Sequence, residues 1–468
     1  MVINKKVLLC APVVFLGNSS FINYQDASGA ENLGLEYIGG ALKSLGADVK
    51  IVTFSSEVDL AGIVKSVKPD FIGFTSLTYQ SPLVARAIKV IKEEFPEIIV
   101  IAGGDHASAR PEDFLKAGAD YAIKGEGEMA IKKIYNGETD KDEKIVECPL
   151  LSADELNNTF PLRMKGWGIK KNLRPSWSAL FEKAGVVYCL ISGRGCGRSC
   201  DFCNSGEMWK KKIRLRSMDS LESELINISS LSDASGIDFV DLDFFVPISH
   251  TEAVIDLIIK LKKFNKIPND LKFACLGSFP PLEKSEKIFT KMFEAGFVEA
   301  SFGIEVVEEE QRLLLNKGIG SKSNWMSIVE LAANSGMATR AFLMLGHPNQ
   351  DTAYYQKFLQ VISSHKFVEI IDTIRLSLCT PLPGTRLWQY CKEKELFLPN
   401  FDPDNIEHYS RLTTDGQVIK SEVELEEIRK VAIKNFYFSE YYLNCERAKK
   451  FPWIKKAREA MAGVMDKV

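Results

Sequence analysis

The sequence predicts an α/β protein in three parts: a doubly wound, flavodoxin- or Rossmann-like N-terminal domain, a partial (β/α)6 barrel, and a mainly helical C-terminal region. Three observations carry this. Short apolar runs alternate with amphipathic stretches in two series, residues 6–135 and 185–390, which is the pattern of βα units feeding parallel sheets. The chain has 468 residues, too many for one ordinary core at roughly 150 residues per domain. Beyond Pro383 the pattern turns irregular and then helical, with 422–447 the clearest amphipathic stretch. The expected boundaries are 1–136, a linker over 137–184, the barrel over 185–390, and the helical region over 391–468.

In the first series the strand candidates are KVLLCAP, DVKIVTF, DFIGFTS, IIVIAGG and DYAIKG. Between the third and fourth, Leu83, Val84, Ala87, Ile88, Ile91 and Phe95 fall on one helical face and Arg86, Lys89 and Lys92 on the other, so 81–95 is a covering helix. Ligands of such a domain bind beyond the carboxyl ends of its strands. Residues 136–184 carry charge, Pro149, Pro161 and Pro175, and little periodicity, and read as a segment that wraps rather than folds alone. The second series has strand candidates VVYCLIS, IDFVDLDF, LKFACLG, EASFGIE, TRAFLML and DTIRLSL, spaced by helical stretches at 217–231, 249–264, 283–295 and 323–335. Six βα units make an open, partial barrel.

Composition narrows the functional classes. Hydrophobic residues at 46% and charged residues at 26% match a globular protein and exclude disordered and fibrous classes. With 59 basic and 62 acidic residues the formal charge of -3 offers no field for nucleic acid or an anionic membrane, so a small-molecule substrate suits it better. The apolar N-terminus is broken by Pro12 and reads as a buried strand, and no window supplies the ~20 apolar residues of a membrane span. Ten cysteines without a regular framework fit a reducing compartment, so a cytoplasmic location is expected.

Three of those cysteines cluster. Gly193-Arg-Gly-Cys196-Gly-Arg-Ser-Cys200-Asp-Phe-Cys203 follows the first strand of the second series, at the carboxyl-terminal mouth where barrel active sites lie. Thiolates at spacings of four and three residues can reach three corners of an iron–sulfur cubane, and glycines at 193, 195 and 197 allow close backbone approach. The fourth iron would stay open to a substrate, as a catalytic metal requires. The structural alternative is a zinc knot completed by a distant Cys or His.

CxxxCxxC after the first strand of a partial barrel resembles the radical S-adenosylmethionine (SAM) superfamily. The resemblance implies that Cys196, Cys200 and Cys203 hold a [4Fe–4S] cluster, that SAM chelates the open iron, and that Phe202 lies by the adenine. Further segments, FVDLDFF (239–245), SFGIEVVEEEQRLLLNKG (301–318), FLMLGHPNQD (342–351) and CTPLPGT (379–385), resemble the branch carrying an N-terminal cobalamin domain. That implies a SAM-facing role for Glu305, which otherwise reads as a solvated strand-end carboxylate. Asp243 at the mouth would touch substrate or SAM, or cap a loop. In KKKIRLR (210–216), ordinarily a solvated basic face, Arg214 and Arg216 resemble family arginines near the cluster loop, one of which would meet an anionic group.

The first domain is similar to the cobalamin-binding domain of the same branch. Thr75 and Ser76 follow its third strand, Gly103-Gly104-Asp105-His106 its fourth, and Gly125-Glu126-Gly127-Glu128 its fifth, all on the expected ligand edge. Glycines would let a flat macrocycle lie against backbone and hydroxyls would bond its nucleotide tail. Taken alone, these turns read equally as sharp ends of buried strands. No Asp-x-His-x-x-Gly occurs at 12–34, so no histidine is expected at the lower axial position, and His106 is expected at the corrin edge or in a turn contact.

The resemblance covers about residues 1–390 and implies [4Fe–4S], SAM and cobalamin as cofactors. It implies a methyltransferase: a 5′-deoxyadenosyl radical abstracts hydrogen from an unactivated carbon, which takes a methyl group from methylcobalamin. An external reductant of the flavodoxin or ferredoxin type is implied. Cyclisation, ring contraction or rearrangement by the same cofactors is the alternative, and a non-catalytic metal-binding module is another. Methylthio transfer to tRNA would need a second cysteine trio in the first domain, which Cys10 and Cys148 cannot make.

Overall fold

The computed structural model describes residues 4–14, 31–140, 142–170, 175–181, 185–317, 325–413 and 415–466. The span searched for an axial-histidine motif therefore lies outside the described residues at 15–30, as do the first two residues of the helix expected at 323–335.

The first sheet has strands β1 Lys6–Pro12, β2 Asp48–Phe54, β3 Phe71–Thr75, β4 Ile99–Gly103, β5 Tyr121–Lys124 and β6 Ile145–Glu147 in the order β2-β1-β3-β4-β5-β6. Every pairing is parallel, with Val7 beside Phe71 and Val49, and Phe71 beside Ile99. That is the flavodoxin-type order, whose switch point falls between β1 and β3. Its two faces are closed by separate apolar clusters, one around Leu8, Ile72, Val84 and Ile88, the other around Leu9, Leu42, Ile101 and Ile131. The alternation along β1 fills both, as a doubly covered strand requires.

Segment 137–184, expected to wrap, does more: it supplies β6 and a two-residue strand β7 Ile169–Lys170. Both are too short to show a period. The strand β8 Val186–Leu190 opens the second sheet, after which the small strands β9 Gly193–Arg194 and β10 Arg214–Leu215 pair antiparallel around the cysteine loop. β11 Ala234–Phe239, β12 Lys272–Gly277, β13 Phe297–Glu305, β14 Ala338–Leu345 and β15 Thr373–Leu378 complete a sheet ordered β15-β14-β13-β12-β11-β8-β7. Six of its strands run parallel and β7 is antiparallel to β8, so the barrel is open between β15 and β7. The expected strand 237–244 ends at Phe239, because Asp241 turns its carboxylate onto the Ser192 and Gly193 amides instead of continuing the ladder.

The tail splits the expected stretch 422–447. It forms helices Leu425–Tyr437, Glu446–Lys450 and Pro452–Met465. Buried Asp372, at the start of β15, takes Arg458 Nε at 2.7 Å and Arg447 Nη1 at 2.6 Å, which fastens the last two helices to the barrel. Tyr437 Oη caps the outer edge of β15 at the Ile374 amide, 3.0 Å away, which blunts an otherwise exposed strand edge. Among the described residues no helix is long and apolar enough to cross a membrane.

Candidate functional site

The β9–β10 pair sets the base of the cysteine loop. Gly195 has φ +99, and a Cβ there would lie 1.9 Å from the Lys212 carbonyl oxygen, so no side chain fits where the loop crosses its own return. Asp241 fixes the other side: its Oδ1 accepts from Ser192 Oγ at 2.8 Å and the Gly193 amide at 2.8 Å. Burial pushes this carboxyl up to about 6 despite those bonds. Asp241 is a positioning residue that the sequence reading passed over in favour of Asp243, although it is the first acid of FVDLDFF.

Cys196, Cys200 and Cys203 are free thiols, half-buried, on one loop. Burial raises the thiols of Cys196 and Cys200, the latter to about 11, while the Lys317 ammonium opposes the shift at Cys200. Iron would overcome that resistance, since a coordinating thiol is deprotonated outright. Among the described residues no group of three or more His, Cys, Asp or Glu side chains is arranged to hold one metal ion. A cubane asks for something wider, one thiolate on each of three irons. The donor set of three unbridged thiols on a glycine-pinned loop fits it.

Beside the thiols, Glu305 ends β13 at φ +61, a left-handed conformation that a glutamate adopts only under constraint. Its carboxylate pairs with Lys317, whose ammonium also sits 5.9 Å from the Phe202 ring centroid. Phe202 in turn packs on the barrel core. The structure thus brings Cys200, Phe202 and Glu305 together through Lys317, the last lysine of LLLNKG, which the sequence reading did not single out. Asp243 anchors the loop by a different route, accepting from the Ser278 amide at 2.9 Å and from Arg198 Nε at 3.4 Å.

A cavity of about 920 Å³ opens at the switch point of the first sheet and runs into the barrel. Its first-domain wall includes Ala11, Thr75, Gly103, Gly104, Gly125, Glu126 and Gly127, and its barrel wall includes Gly193, Gly195, Trp209, Asp241, Phe342 and Arg375. Met461 and Met465 of the last helix close one side. The volume is at the upper end of small-molecule sites. Gly125, at φ +84, has nothing within 4 Å of its would-be Cβ, which is the open backbone surface a flat macrocycle needs. Gly104 is different: a Cβ would strike Thr75 Oγ1 at 2.8 Å, so that glycine serves the turn. The glycine-lined crevice fits cobalamin, and the wall from Gly193 to Asp241 joins it to the thiol loop.

Ser76, His106, Arg216 and Glu126 each bond to the protein itself. Ser76 is buried with its hydroxyl donated to the Leu77 carbonyl at 2.8 Å, outside the cavity wall. His106 is also buried outside that wall, its Nε2 3.3 Å from Asp113 and its ring edge-on to Phe114 and Tyr409. Arg216 is committed to Glu224 and Ser220 inside the barrel wall. Glu126 lines the cavity, yet its carboxylate is spent on Arg194 at 2.9 Å, Arg214 at 2.6 Å and the Leu151 amide at 2.7 Å. Arg194 adds Glu128 at 2.6 Å and lies 4.5 Å above the Tyr37 ring. These pairs clamp the first domain to the strands that carry the cysteine loop. In each case the group found a buried partner of opposite charge or a backbone acceptor, which no spacing in the sequence announces.

Comparison with known proteins agrees with this geometry. The family model for the B12 binding domain matches residues 27–134, and that for the radical SAM superfamily matches residues 190–362. An uncharacterised methyltransferase of Pyrococcus horikoshii is 27% identical over 387 residues, 78% of this chain and 79% of its own length. The hopanoid C-3 methylase of Methylococcus capsulatus is 23% identical over 395 residues, 81% of this chain and 72% of its own. In fold the chain resembles the radical SAM methyltransferase TsrM from Kitasatospora setae, solved with tryptophan substrate and a SAM analogue, with a TM-score of 0.67 at 15% identity over 93% of this chain and 89% of that one. The chain belongs to the radical SAM superfamily, in the branch that carries an N-terminal B12-binding domain.

Proposed function

We propose that the protein is a cobalamin-dependent radical SAM methyltransferase acting on an unactivated carbon of a small molecule. The observation that carries this is a cavity that runs from the glycine-lined crevice of the first domain to Gly193 and Gly195, the base of the loop that bears the three free thiols. Cys196, Cys200 and Cys203 would hold the cluster, while Phe202 and the Glu305–Lys317 pair would receive the adenosyl and amino-acid parts of SAM. Thr75, Gly103, Gly125 and Gly127 would bed the corrinoid, with Gly104 holding the turn between them. When bound, the cluster and SAM supply a 5′-deoxyadenosyl radical and cobalamin supplies the methyl group.

The chain's own residues orient and enclose. Asp241 and the Gly195 crossing fix the thiol loop, the Glu126–Arg194–Arg214 clamp sets the crevice against it, and Met461 and Met465 shield one wall from water. A flavodoxin- or ferredoxin-type protein in the cytoplasm would supply the electron. The test is anaerobic incubation of reconstituted protein with SAM and dithionite. 5′-Deoxyadenosine is expected from the wild type and none from the Cys196→Ala/Cys200→Ala/Cys203→Ala protein; equal yields from both would overturn the assignment.

A further inference from the structure

The lysine side chains of the basic turn beside the thiol loop have no part in the site described so far. Lys210, Lys211 and Lys212 are consecutive and exposed, and Lys210 and Lys211 both hold left-handed backbone, at φ +50 and +55. Two adjacent non-glycine residues in that region are strained, and the hairpin must enforce them. The turn is seated directly on the cysteine loop: the Lys212 carbonyl closes on Gly195, and Ile213 Cδ1 lies 3.7 Å from the would-be Cβ of Gly197, on either side of Cys196. On its inner side Trp209 lines the cofactor cavity. Residues 209–213 therefore span solvent, cluster loop and cavity.

The charge of the patch is positive on a chain that is net negative. Lys124 adds a fourth ammonium, sharing Glu147 with Lys210 at 3.3 and 3.1 Å. Exposed Lys211 and Lys212, beside the Lys124–Glu147–Lys210 group and against the thiol loop, make an electrostatic target for an anionic protein surface. The geometry points to the 210–212 turn as the docking site of an acidic one-electron carrier protein that reduces the cluster. This rests on the radical SAM reading above. The cluster that Cys196, Cys200 and Cys203 would hold would take one electron from the carrier and supply it for cleavage of the S–C5′ bond of SAM to methionine and a 5′-deoxyadenosyl radical, so that the carrier would be oxidised and SAM reduced by one electron each.

The experiment uses anaerobically reconstituted holoenzyme, reduced flavodoxin as the carrier, and two triple variants: K210E/K211E/K212E and K210Q/K211Q/K212Q. Flavodoxin affinity is measured by calorimetry in low and high salt, and 5′-deoxyadenosine formation is driven by either flavodoxin or dithionite. Charge reversal is expected to weaken binding ~10- to 100-fold at low salt, with the glutamine variant between, and the differences should collapse near 0.5 M salt where screening shortens to a few ångströms. The flavodoxin-driven rate should fall in parallel while the dithionite-driven rate holds. Flavodoxin binding that is absent from the wild type, insensitive to salt, or within twofold of wild type in both variants overturns the inference. Failure of the wild type with dithionite would strike the functional reading instead, and the affinities would still decide the docking site.

Discussion

Gly195→Ala isolates the contact on which the thiol loop depends. Alanine at φ +99 carries the left-handed penalty of about 1–2 kcal/mol, and its methyl would sit 1.9 Å from the Lys212 carbonyl oxygen. That overlap is with backbone, so relief requires the β10 strand to move, at an overpacking cost of about 1–3 kcal/mol. The two effects sum to about 2–5 kcal/mol of local destabilisation, or roughly 30-fold and more in a local opening equilibrium at 1.36 kcal/mol per tenfold. Amide exchange over residues 192–216 should accelerate by that factor, and the reconstituted iron content should fall. Gly125→Ala is the control: its φ of +84 brings the same backbone penalty, but its methyl meets nothing within 4 Å, so exchange there should change only by the smaller factor while corrinoid affinity drops. Wild-type exchange and full iron in Gly195→Ala would refute the argument that this crossing needs glycine.

Other perturbations test the joints around the site. Burial, and then Glu31 beside it, pushes the Glu36 carboxyl up to about 9 against the pull of Arg163. A raised folded pKa means stability that is full below the ordinary carboxylate value and lost as pH rises toward 9. The thermal midpoint should therefore fall between pH 5 and 9, and Glu36→Gln should flatten that slope; an unchanged slope would contradict it. Glu126→Ala leaves Arg214 with the Leu151 carbonyl but no carboxylate, while Arg194 keeps Glu128, and should cost up to about 3 kcal/mol, read as faster proteolysis within 137–184. Arg458→Met leaves buried Asp372 with Arg447 as its remaining guanidinium and should cost about 3–5 kcal/mol, with the last helix the first segment to exchange.

The parallel strands were legible because burial on both faces leaves near-continuous apolar runs, as in VVYCL of β8, and because their covering helices carry a clear stripe, as at 81–94. The thiol trio stood out by its spacing, which left a zinc knot as the alternative, and the resemblance supplied the cluster reading. What escaped was set by partners distant in sequence. β7 has two residues and shows no period; Asp241 acts through Ser192, 49 positions away; Glu126 meets Arg194 across 68. Lys317 became visible as a site residue only when β13 delivered Glu305 and the loop delivered Phe202 to the same ammonium. A basic run does not say which carboxylates its arginines meet: Arg214 pairs with Glu126 and Arg216 is buried against Glu224.

What the thiol loop and the glycine-lined crevice bind is directly measurable. Anaerobic reconstitution with iron, sulfide and hydroxocobalamin, followed by metal, acid-labile sulfide and corrinoid analysis, should give about four irons, four sulfides and one tightly held corrinoid per chain. One zinc with no labile sulfide, or a cluster with no retained corrinoid, would contradict the claim that the thiol loop and the glycine-lined crevice form one two-cofactor site.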